Sequence, residues 1–319
     1  MIGVMGAGAF GTALAAVHGL YDRPAVLWGR DGGAIKQMAL TRQSSRLPGI
    51  EIPRGVTITA DLACLAECDV LVLAMPMQAL HGFVTEHAAF LEGRILIACC
   101  KGIDLETLKG PTEIVRTACP SSVPMILTGP SFAADIARRL STALTLACHD
   151  EAAVLVAQRA LSVPSLRLYR NTDVIGAELG GALKNVIAIA CGACIGEGMG
   201  ESARAALMTR GFAEMQRLAL RLGARGETLM GLSGFGDLVL TCTSEQSRNY
   251  RFGLALGRGD AFDKSITVEG VATAQAVVKL AQKLGVDMPI TSVLVDLFAG
   301  TSNVAEAIQF LLSRPLKQE

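Results

Sequence analysis

A glycine-rich segment near the start of the chain restricts the possible folds more than any other feature of the sequence. The residues Gly6-Ala-Gly-Ala-Phe-Gly11 follow the aliphatic run Ile2–Met5 directly and lead into the small-residue stretch Thr12–Ala15. In a strand–turn–helix unit, the three glycines permit a tight turn, an anion close to the backbone and a helix packed close to the strand. The N–H groups and the dipole at the helix start face that anion. The segment therefore predicts a Rossmann-type unit that binds a dinucleotide pyrophosphate.

The end of the next strand bears on which dinucleotide is bound. The run Ala25–Trp28 is followed by Gly29-Arg30-Asp31, where an acidic residue would bind the ribose of NAD. Arg30 precedes Asp31, and a guanidinium there can stack on adenine and pair with a 2′-phosphate. We therefore expect NADP or NAD as the cofactor, with NADP favoured. Binding of the NAD ribose by Asp31 is the alternative.

The pattern of apolar residues divides the chain into two halves. Up to residue 172, short aliphatic runs alternate with helix-length segments, which predicts a mainly parallel, doubly wound sheet. The predicted strands are Ile2–Met5, Ala25–Trp28, Val56–Thr59, Val70–Ala74, Arg94–Ala98, Met125–Thr128, Thr142–Ala147 and Leu166–Tyr169. The helices predicted between them are Thr12–Leu20, Gly33–Arg42, Asp61–Glu67 and Pro76–Ala89. This half, 1–172, is the predicted dinucleotide-binding domain.

From residue 173 onward, the pattern has a helical period and almost no strand-like alternation. The predicted helices are Val174–Gly192, Ala203–Leu222, Gly226–Met230, Arg251–Leu256, Val271–Leu284, Ile290–Phe298 and Asn303–Leu312. The residues from Pro315 to Glu319 are expected to fray. We therefore predict an all-α domain over 173–319 that carries the substrate and catalytic residues.

Composition excludes several classes of function. The 319 residues include 29 basic and 29 acidic side chains without a basic run, so we expect no nucleic-acid partner. The apolar run Val186–Gly196 is shorter than the roughly 20 residues of a membrane span, so we expect no membrane span. The chain begins in a strand pattern rather than a secretory signal, which predicts a cytoplasmic protein.

The nine cysteines lie scattered in apolar segments, as expected for reduced, buried thiols. Only Cys191 and Cys194 have a suggestive spacing, and the four histidines supply no matching pair for zinc. We therefore predict no metal site. A redox or metal role of these two cysteines is the alternative.

Two charged residues stand alone in apolar surroundings in the second half. Lys184 is the one side chain expected to carry charge between Leu179 and Gly196, and Asp237 is the one between Glu227 and Glu245. A buried lysine loses its proton more easily and can act as a general acid or base. If a helix starts at the Gly-rich turn before Asp237, then Thr241, four residues on, lies on the same face. The alternatives are a lysine whose stem covers apolar surface and an aspartate that caps a helix.

Further polar residues occupy positions suited to a substrate anion. Lys101 follows the strand Arg94–Ala98, and Gly129-Pro-Ser131 follows the next strand at the same sheet edge. Ser247-Arg248-Asn249 places a guanidinium beside an amide, and guanidinium groups bind phosphate through two hydrogen bonds. We predict that this tripeptide recognises a phosphate. A surface loop without a ligand is the alternative.

Together these motifs resemble the bacterial NAD(P)-dependent sn-glycerol-3-phosphate dehydrogenase family over nearly the whole chain. The motifs that carry the resemblance are Gly6–Ala15, Trp28-Gly-Arg30, Lys101-Gly102, Gly129–Ala133, Leu179–Ile189, Gly234–Cys242, Ser247–Asn249 and Val268-Glu-Gly270. The resemblance implies reversible reduction of dihydroxyacetone phosphate to sn-glycerol 3-phosphate, which supplies glycerophospholipid biosynthesis. It also implies a homodimer. Many relatives carry serine at the position of Ala9, and we expect this departure to be tolerated because the backbone N–H is kept.

The resemblance also implies roles for individual residues. It makes Lys184 the proton donor and acceptor, supported by Asp237, Thr241 and Asn185. The residues implied for substrate binding are Lys101, Gly129, Ser131, Lys184, Asp237, Ser247, Arg248 and Asn249. Those implied for cofactor binding are Gly6, Gly8, Ala9, Phe10, Gly11, Arg30, Lys101, Ala133, Arg248, Thr267 and Glu269. The alternatives are another two-domain dehydrogenase, such as a ketopantoate reductase or a 3-hydroxyacid dehydrogenase, and a non-catalytic NADP-binding sensor.

Overall fold

A computed structural model describes residues 1–313, apart from the side chains of residues 308, 309, 312 and 313. The strands are β1 (Ile2–Met5), β2 (Ala25–Trp28), β3 (Gln43–Ser44), β4 (Leu47–Glu51), β5 (Val56–Thr59), β6 (Val70–Leu73), β7 (Ile95–Ala98), β8 (Val123–Thr128), β9 (Thr142–Ala147) and β10 (Leu166–Asn171). The helices are α1 (Ala9–Gly19), α2 (Gly32–Thr41), α3 (Met77–Glu86), α4 (Ala88–Leu91), α5 (Pro111–Ala118), α6 (Ala133–Ala137), α7 (Glu151–Leu161), α8 (Val174–Gly196), α9 (Glu201–Arg221), α10 (Gly226–Met230), α11 (Asp237–Cys242), α12 (Arg248–Arg258), α13 (Glu269–Leu284), α14 (Pro289–Ala299) and α15 (Val304–Ser313). A 3-10 turn covers Leu62–Leu65, and a π-turn covers Leu232–Gly236.

The chain divides into two compact units. Unit 1 consists of residues 1–101 and 109–178, and unit 2 consists of residues 102–108 and 179–319. The first turn of α8 therefore belongs to unit 1 and its remainder to unit 2. The domain boundary expected between residues 172 and 173 stays a prediction.

Unit 1 is the predicted Rossmann-like sheet with helices. Its eight strands follow the order β10-β9-β8-β7-β6-β1-β2-β5. β1 lies between β2 and β6 and is parallel to both, so the strand order reverses there. Ligands bind in open α/β sheets at the carboxyl ends of strands beside such a reversal. The carboxyl end of β1 is where the glycine-rich segment lies.

Some elements of unit 1 differ from the predicted ones. β9 is antiparallel to β8, so β9 and β10 run against the other six strands. The helix predicted over Asp61–Glu67 is only the 3-10 turn, because Asp61 caps a four-residue segment by accepting the N–H of Ala63. The short hairpin β3–β4 was not predicted, since its exposed residues lack a clear alternation. None of these differences touches the carboxyl end of β1.

The described part of unit 2 is helical, as predicted. Its core surrounds α8, whose residues Val186–Ile189 are almost completely buried. At 23 residues, α8 is long and apolar enough to cross a membrane, so the length argument from Val186–Gly196 was wrong. However, 89% of its apolar window is buried inside the protein. This burial is typical of the core helix of a globular protein.

Two carboxylates, one on the partly buried Glu178 and one on the buried Glu214, cap helices that are remote from them in sequence. α5 and α14 begin with Pro111 and Pro289, and neither helix has a side-chain cap of its own. In α5, the N–H of Thr112 donates to the carboxylate of Glu178 at 2.7 Å. In α14, the N–H of Ile290 donates to the carboxylate of Glu214 at 2.6 Å. Each carboxylate therefore satisfies a helix N-terminus that its local sequence leaves uncapped.

The buried cap in unit 2 makes stability depend on pH. Burial raises the pKa of Glu214 from 4.5 to about 7, although the hydrogen bonds from Ile290 and Thr291 oppose the shift. Because the folded state then binds more protons than the unfolded state, stability falls as the pH rises through this range. We expect Glu214→Gln to remove a decline of about 3 kcal/mol in the free energy of unfolding between pH 4.5 and 7. Urea denaturation at several pH values measures it, with the exposed Glu67→Gln as control. Parallel curves for Glu214→Gln and the wild type would contradict it.

Candidate active site

The glycine-rich segment in unit 1 has the geometry of a phosphate-binding turn. Gly6 has a φ of +125°, and its N–H donates to Trp28 O at 2.9 Å. A Cβ on Gly11 would collide with the carbonyl oxygen of Gly6, whereas the Cβ position of Gly8 has no atom within 4 Å. α1 starts at Ala9 without a side-chain cap or an acidic residue in its first turn. The open space at Gly8 and the uncapped N–H groups fit a dinucleotide pyrophosphate.

The two glycines of this turn predict different mutant phenotypes. Gly8→Ala fills only open space at a φ of −76°, so we expect normal folding. The new methyl group stands where the anion approaches, and cofactor affinity falls at least about tenfold. Gly11→Ala instead forces α1 away from the turn and costs about 1–3 kcal/mol of stability. Thermal denaturation and cofactor titration separate the two effects. Equal cofactor affinity of Gly8→Ala and wild type would show that no anion approaches there.

The structure assigns a local role to Asp31. Its Oδ1 accepts the N–H of Ala34 at 3.0 Å and so caps α2. Arg30, which precedes it, has an exposed side chain. The carboxylate is thus already bonded to the backbone, while the guanidinium faces solvent.

Lys101, Gly129 and Ser131 lie together at the ends of β7 and β8. Lys101 Nζ donates to the carbonyl oxygen of Gly129 at 3.3 Å, and Ser131 Oγ donates to the same oxygen at 3.2 Å. Gly129 holds a φ of +136°, which favours glycine. Ala133 begins α6 two residues after Ser131. The residues of unit 1 that were predicted to bind the substrate therefore form one cluster, at the expected edge of the sheet.

Lys184, Asp237 and Thr241 form a compact buried triad in unit 2. Lys184 Nζ lies 2.8 Å from Asp237 Oδ1 and donates to Thr241 Oγ1 at 2.6 Å. Thr241 Oγ1 in turn donates to Asp237 Oδ1 at 3.3 Å. The side chains of Lys184 and Asp237 are only 8% and 1% exposed. An ion pair with so little water around it holds its ammonium in one orientation.

The local structure explains how two distant segments form this triad. Asp237 and Thr241 lie four residues apart in α11 and so share a face, as predicted. The N-cap of α11 is Gly236 rather than Asp237, so the alternative of a capping aspartate does not describe this residue. Lys184 sits in the middle of α8, where its ammonium group contacts Asp237 and Thr241 instead of reaching solvent.

The predicted phosphate-binding tripeptide starts α12. Ser247 caps this helix by accepting the N–H of Tyr250 at 3.2 Å, and Arg248 is exposed in its first turn. Asn249 is buried, and its Oδ1 accepts the N–H of Gly270 at 2.9 Å. The amide is thereby fixed with its NH2 group, a donor, turned away from that bond.

The remaining residues of unit 2 that were predicted to belong to the site lie near the hydrogen bond between Gly270 and Asn249. Glu269 is half-buried at the start of α13, next to Gly270, and Thr267 is exposed just before the helix. Asn185 is buried, and its carbonyl oxygen lies 2.7 Å from the Cβ position of Gly270. Asn185 therefore borders the N-terminus of α13, and in the sequence it directly follows Lys184.

Two features near the triad were not predicted from the sequence. The π-turn before Asp237 has the bond from Gly236 N–H to Gly231 O at 3.1 Å, which spans five residues. An inserted residue of this kind has no sequence signature. The thiols of Cys191 and Cys242 also meet beside the triad, whereas the spacing had drawn attention to Cys194. None of the nine cysteines, all of which lie within the described residues, forms a disulfide, and no three metal-binding side chains cluster within that part of the chain.

Comparisons with known proteins show to which family the chain is similar. Residues 1–154 and 173–309 match the family models for the N-terminus and the C-terminus of NAD-dependent glycerol-3-phosphate dehydrogenase. Relatives named glycerol-3-phosphate dehydrogenase [NAD(P)+] include one from Cereibacter sphaeroides, 61% identical over 100% of both chains. Another, from a Ruegeria species, is 56% identical over 100% of this chain and 99% of the relative. A crystal structure of glycerol-3-phosphate dehydrogenase from Coxiella burnetii, 35% identical, superposes with a TM-score of 0.93 and covers 98% of each chain. The chain therefore belongs to the NAD-dependent glycerol-3-phosphate dehydrogenase family.

Proposed function

We propose that this protein is an NAD(P)-dependent oxidoreductase that reversibly reduces dihydroxyacetone phosphate to sn-glycerol 3-phosphate. The observation that carries the proposal is the buried triad of Lys184, Asp237 and Thr241 in a chain of this family. A carbonyl reduction needs a proton for the oxygen as well as a hydride for the carbon. The triad supplies the proton-transfer group that this chemistry requires.

The geometry of the triad supports a route for the proton. When NADPH or NADH is bound, its nicotinamide would supply the hydride for the C2 carbon. Lys184 donates a hydrogen bond to the C2 oxygen and passes its proton to that oxygen as negative charge develops. Asp237 and Thr241 keep the ammonium in place through the 2.8 Å and 2.6 Å contacts. In the reverse direction, neutral Lys184 accepts the proton from the hydroxyl group of sn-glycerol 3-phosphate.

The other predicted residues have roles that suit a small phosphorylated substrate. We assign the phosphate to Arg248 and to the NH2 group of Asn249, whose orientation is fixed by Gly270. The guanidinium at the exposed start of α12 provides a charged donor for the phosphate. Lys101 and Ser131 provide further donors for substrate oxygens. No metal ion is needed in this scheme.

The chain uses NAD or NADP, and we propose that NADP is preferred. In support, Asp31 is bonded to the backbone of α2, whereas Arg30 is exposed at the position of a 2′-phosphate. We expect Arg30→Ala to lower kcat/KM for NADPH about 10- to 100-fold, since one charge-assisted hydrogen bond contributes about 1.5–3 kcal/mol. The value for NADH should change little. Parallel steady-state assays with both cofactors measure the effect, and an equal loss for both would contradict the assignment.

The direct test of the function is turnover by the purified protein. Dihydroxyacetone phosphate is supplied with NADPH or NADH, and the loss of near-ultraviolet absorbance of the reduced nicotinamide is followed. We expect rapid oxidation with this substrate and none with ketopantoate. Turnover of ketopantoate alone would favour the rival dehydrogenase. Binding of the cofactor without any turnover would favour a sensor.

We further propose that the enzyme is a cytoplasmic homodimer whose product supplies glycerophospholipid biosynthesis. The support is the family to which the chain belongs. Light scattering of the purified protein tests the dimer.

A further inference from the structure

Helix α8 meets the segment around Asp237 along one face. Gly180, Lys184 and Cys191 share that face, since they are four and seven residues apart. Gly180 contacts the π-turn, Lys184 contacts Asp237 and Thr241, and Cys191 contacts Cys242. We call this row of contacts the α8–α11 seam. The proton-transfer group lies in the middle of the seam, with a close backbone approach at one end and a thiol pair at the other.

The close approach at Gly180 leaves no room for a side chain. A Cβ there would lie 2.9 Å from the carbonyl carbon of Ser233 and 3.0 Å from the Cα of Gly234, and still closer to the oxygen of Ser233. All three atoms belong to the backbone of the π-turn, so no side-chain rotation relieves the overlap. Gly180 therefore sets how closely the π-turn can approach α8.

The π-turn determines where Asp237 points. It adds one residue to the turn that precedes α11 and leads directly into Asp237. In a regular helix, one residue corresponds to a rotation of about 100°. Without the extra residue, the carboxylate would point away from Lys184. π-turns are frequent at functional sites for this reason.

We propose that Gly180 and the π-turn Leu232–Gly236 are positioning residues that hold Asp237 at hydrogen-bonding distance from Lys184. The proposal rests on the proposed function, because it concerns the group that transfers the proton. Gly180 acts through the π-turn and touches no reacting atom.

The charges around Lys184 give this positioning a measurable consequence. From α11, Asp237, Thr241 and Cys242 face the ammonium. Burial raises the pKa of the Cys242 thiol, which keeps it neutral. The stabilising negative charge on α11 is thus the Asp237 carboxylate. If this carboxylate withdraws, Lys184 loses its proton at lower pH, and the reductive rate declines earlier on the alkaline side.

The test compares Gly180→Ala with Gly196→Ala. Gly196 is a matched control on the same helix, because its Cβ would also press on helix backbone, at Leu254 and 3.0 Å from the Cα of Gly257. We expect Gly180→Ala to lower kcat about 10- to 100-fold, as small misplacements do. The alkaline limb of its kcat–pH profile should move to lower pH. Gly196→Ala should lose stability while keeping the wild-type profile.

A rescue distinguishes positioning from general damage. The longer side chain in Asp237→Glu can span the gap that Gly180→Ala opens. We expect Asp237→Glu to lower kcat in the wild-type background and to raise it in the Gly180→Ala background. The inference is overturned if Asp237→Glu costs the same factor in both backgrounds, or if Gly180→Ala has the wild-type profile.

A second variant covers the case in which Gly180→Ala does not fold. Phe235 lies in the π-turn and is 41% exposed. It packs edge-to-face against Phe212, with 5.5 Å between the ring centroids, and so supports the π-turn from outside. Phe235→Ala should fold and should shift the alkaline limb in the same direction. An unshifted limb would overturn the inference. Wild-type protein without turnover would overturn the proposed function and the inference together, whereas an active wild type with unaltered variants would overturn the inference alone.

Discussion

Replacement of Lys184 by methionine should lower the rate of dihydroxyacetone phosphate reduction by about 100- to 10,000-fold, the range contributed by general acid catalysis. Methionine keeps the apolar stem that α8 buries but has no proton to donate. The cofactor turn lies in unit 1 and does not depend on this side chain. Steady-state kinetics should therefore show a collapse of kcat, while titration with NADPH shows unchanged binding.

The exposed Lys279 offers a matched control for this substitution. Lys279→Met removes the same charge from α13 and should leave kcat unchanged. If Lys184→Met turned over at the wild-type rate, another group would have to supply the proton. The proposed mechanism would then be wrong.

The second large effect concerns stability. Asp237→Ala removes the partner of a buried ammonium, which should cost about 3–5 kcal/mol in the free energy of unfolding. The cost arises because Lys184 keeps its burial, at 8% exposure, but loses the 2.8 Å contact with a carboxylate. Urea denaturation measures the difference.

A double variant separates the lost charge pairing from lost packing. Lys184→Met with Asp237→Leu replaces the ion pair by apolar side chains of similar volume, and such replacements are often neutral or stabilising. We expect the double variant to recover most of the stability that Asp237→Ala loses while remaining inactive. A double variant as unstable as Asp237→Ala would show that packing, rather than the orphaned charge, causes the loss.

The parts of the site that follow from local spacing were predictable from the sequence. The glycine spacing in Gly6–Gly11 predicted the turn that the structure has there, because the glycine positions specify a backbone path. Asp237 and Thr241 were correctly placed on one helix face, since a four-residue spacing fixes that geometry. Lys184 was predicted to be a site residue because a lone charge in an apolar helix requires a partner. Their meeting within 2.8 Å is a finding of the structure.

The parts that depend on remote backbone contacts were not predictable. Glu214 caps a helix 76 residues further along the chain, and nothing beside Glu214 in the sequence marks that target. The contact between Gly180 and Ser233 depends on the distance between two backbones, which a glycine permits but does not announce. The role of Asp31 as a helix cap was likewise hidden, because an acid after a strand is equally suited to a ribose.

The burial of Lys184 also has a consequence during protein synthesis. Its partner Thr241 lies 57 residues further along the chain. At about 5–20 residues per second, the ribosome needs roughly 3 to 11 seconds to synthesise the chain from Lys184 to Thr241. During this interval, α8 emerges as a 23-residue apolar segment without its helical neighbours. A lysine at the centre of such a segment adds about 2.5–3.5 kcal/mol to the cost of insertion by the translocon. The residue that we propose as the proton donor therefore also opposes entry of the nascent helix into a bilayer.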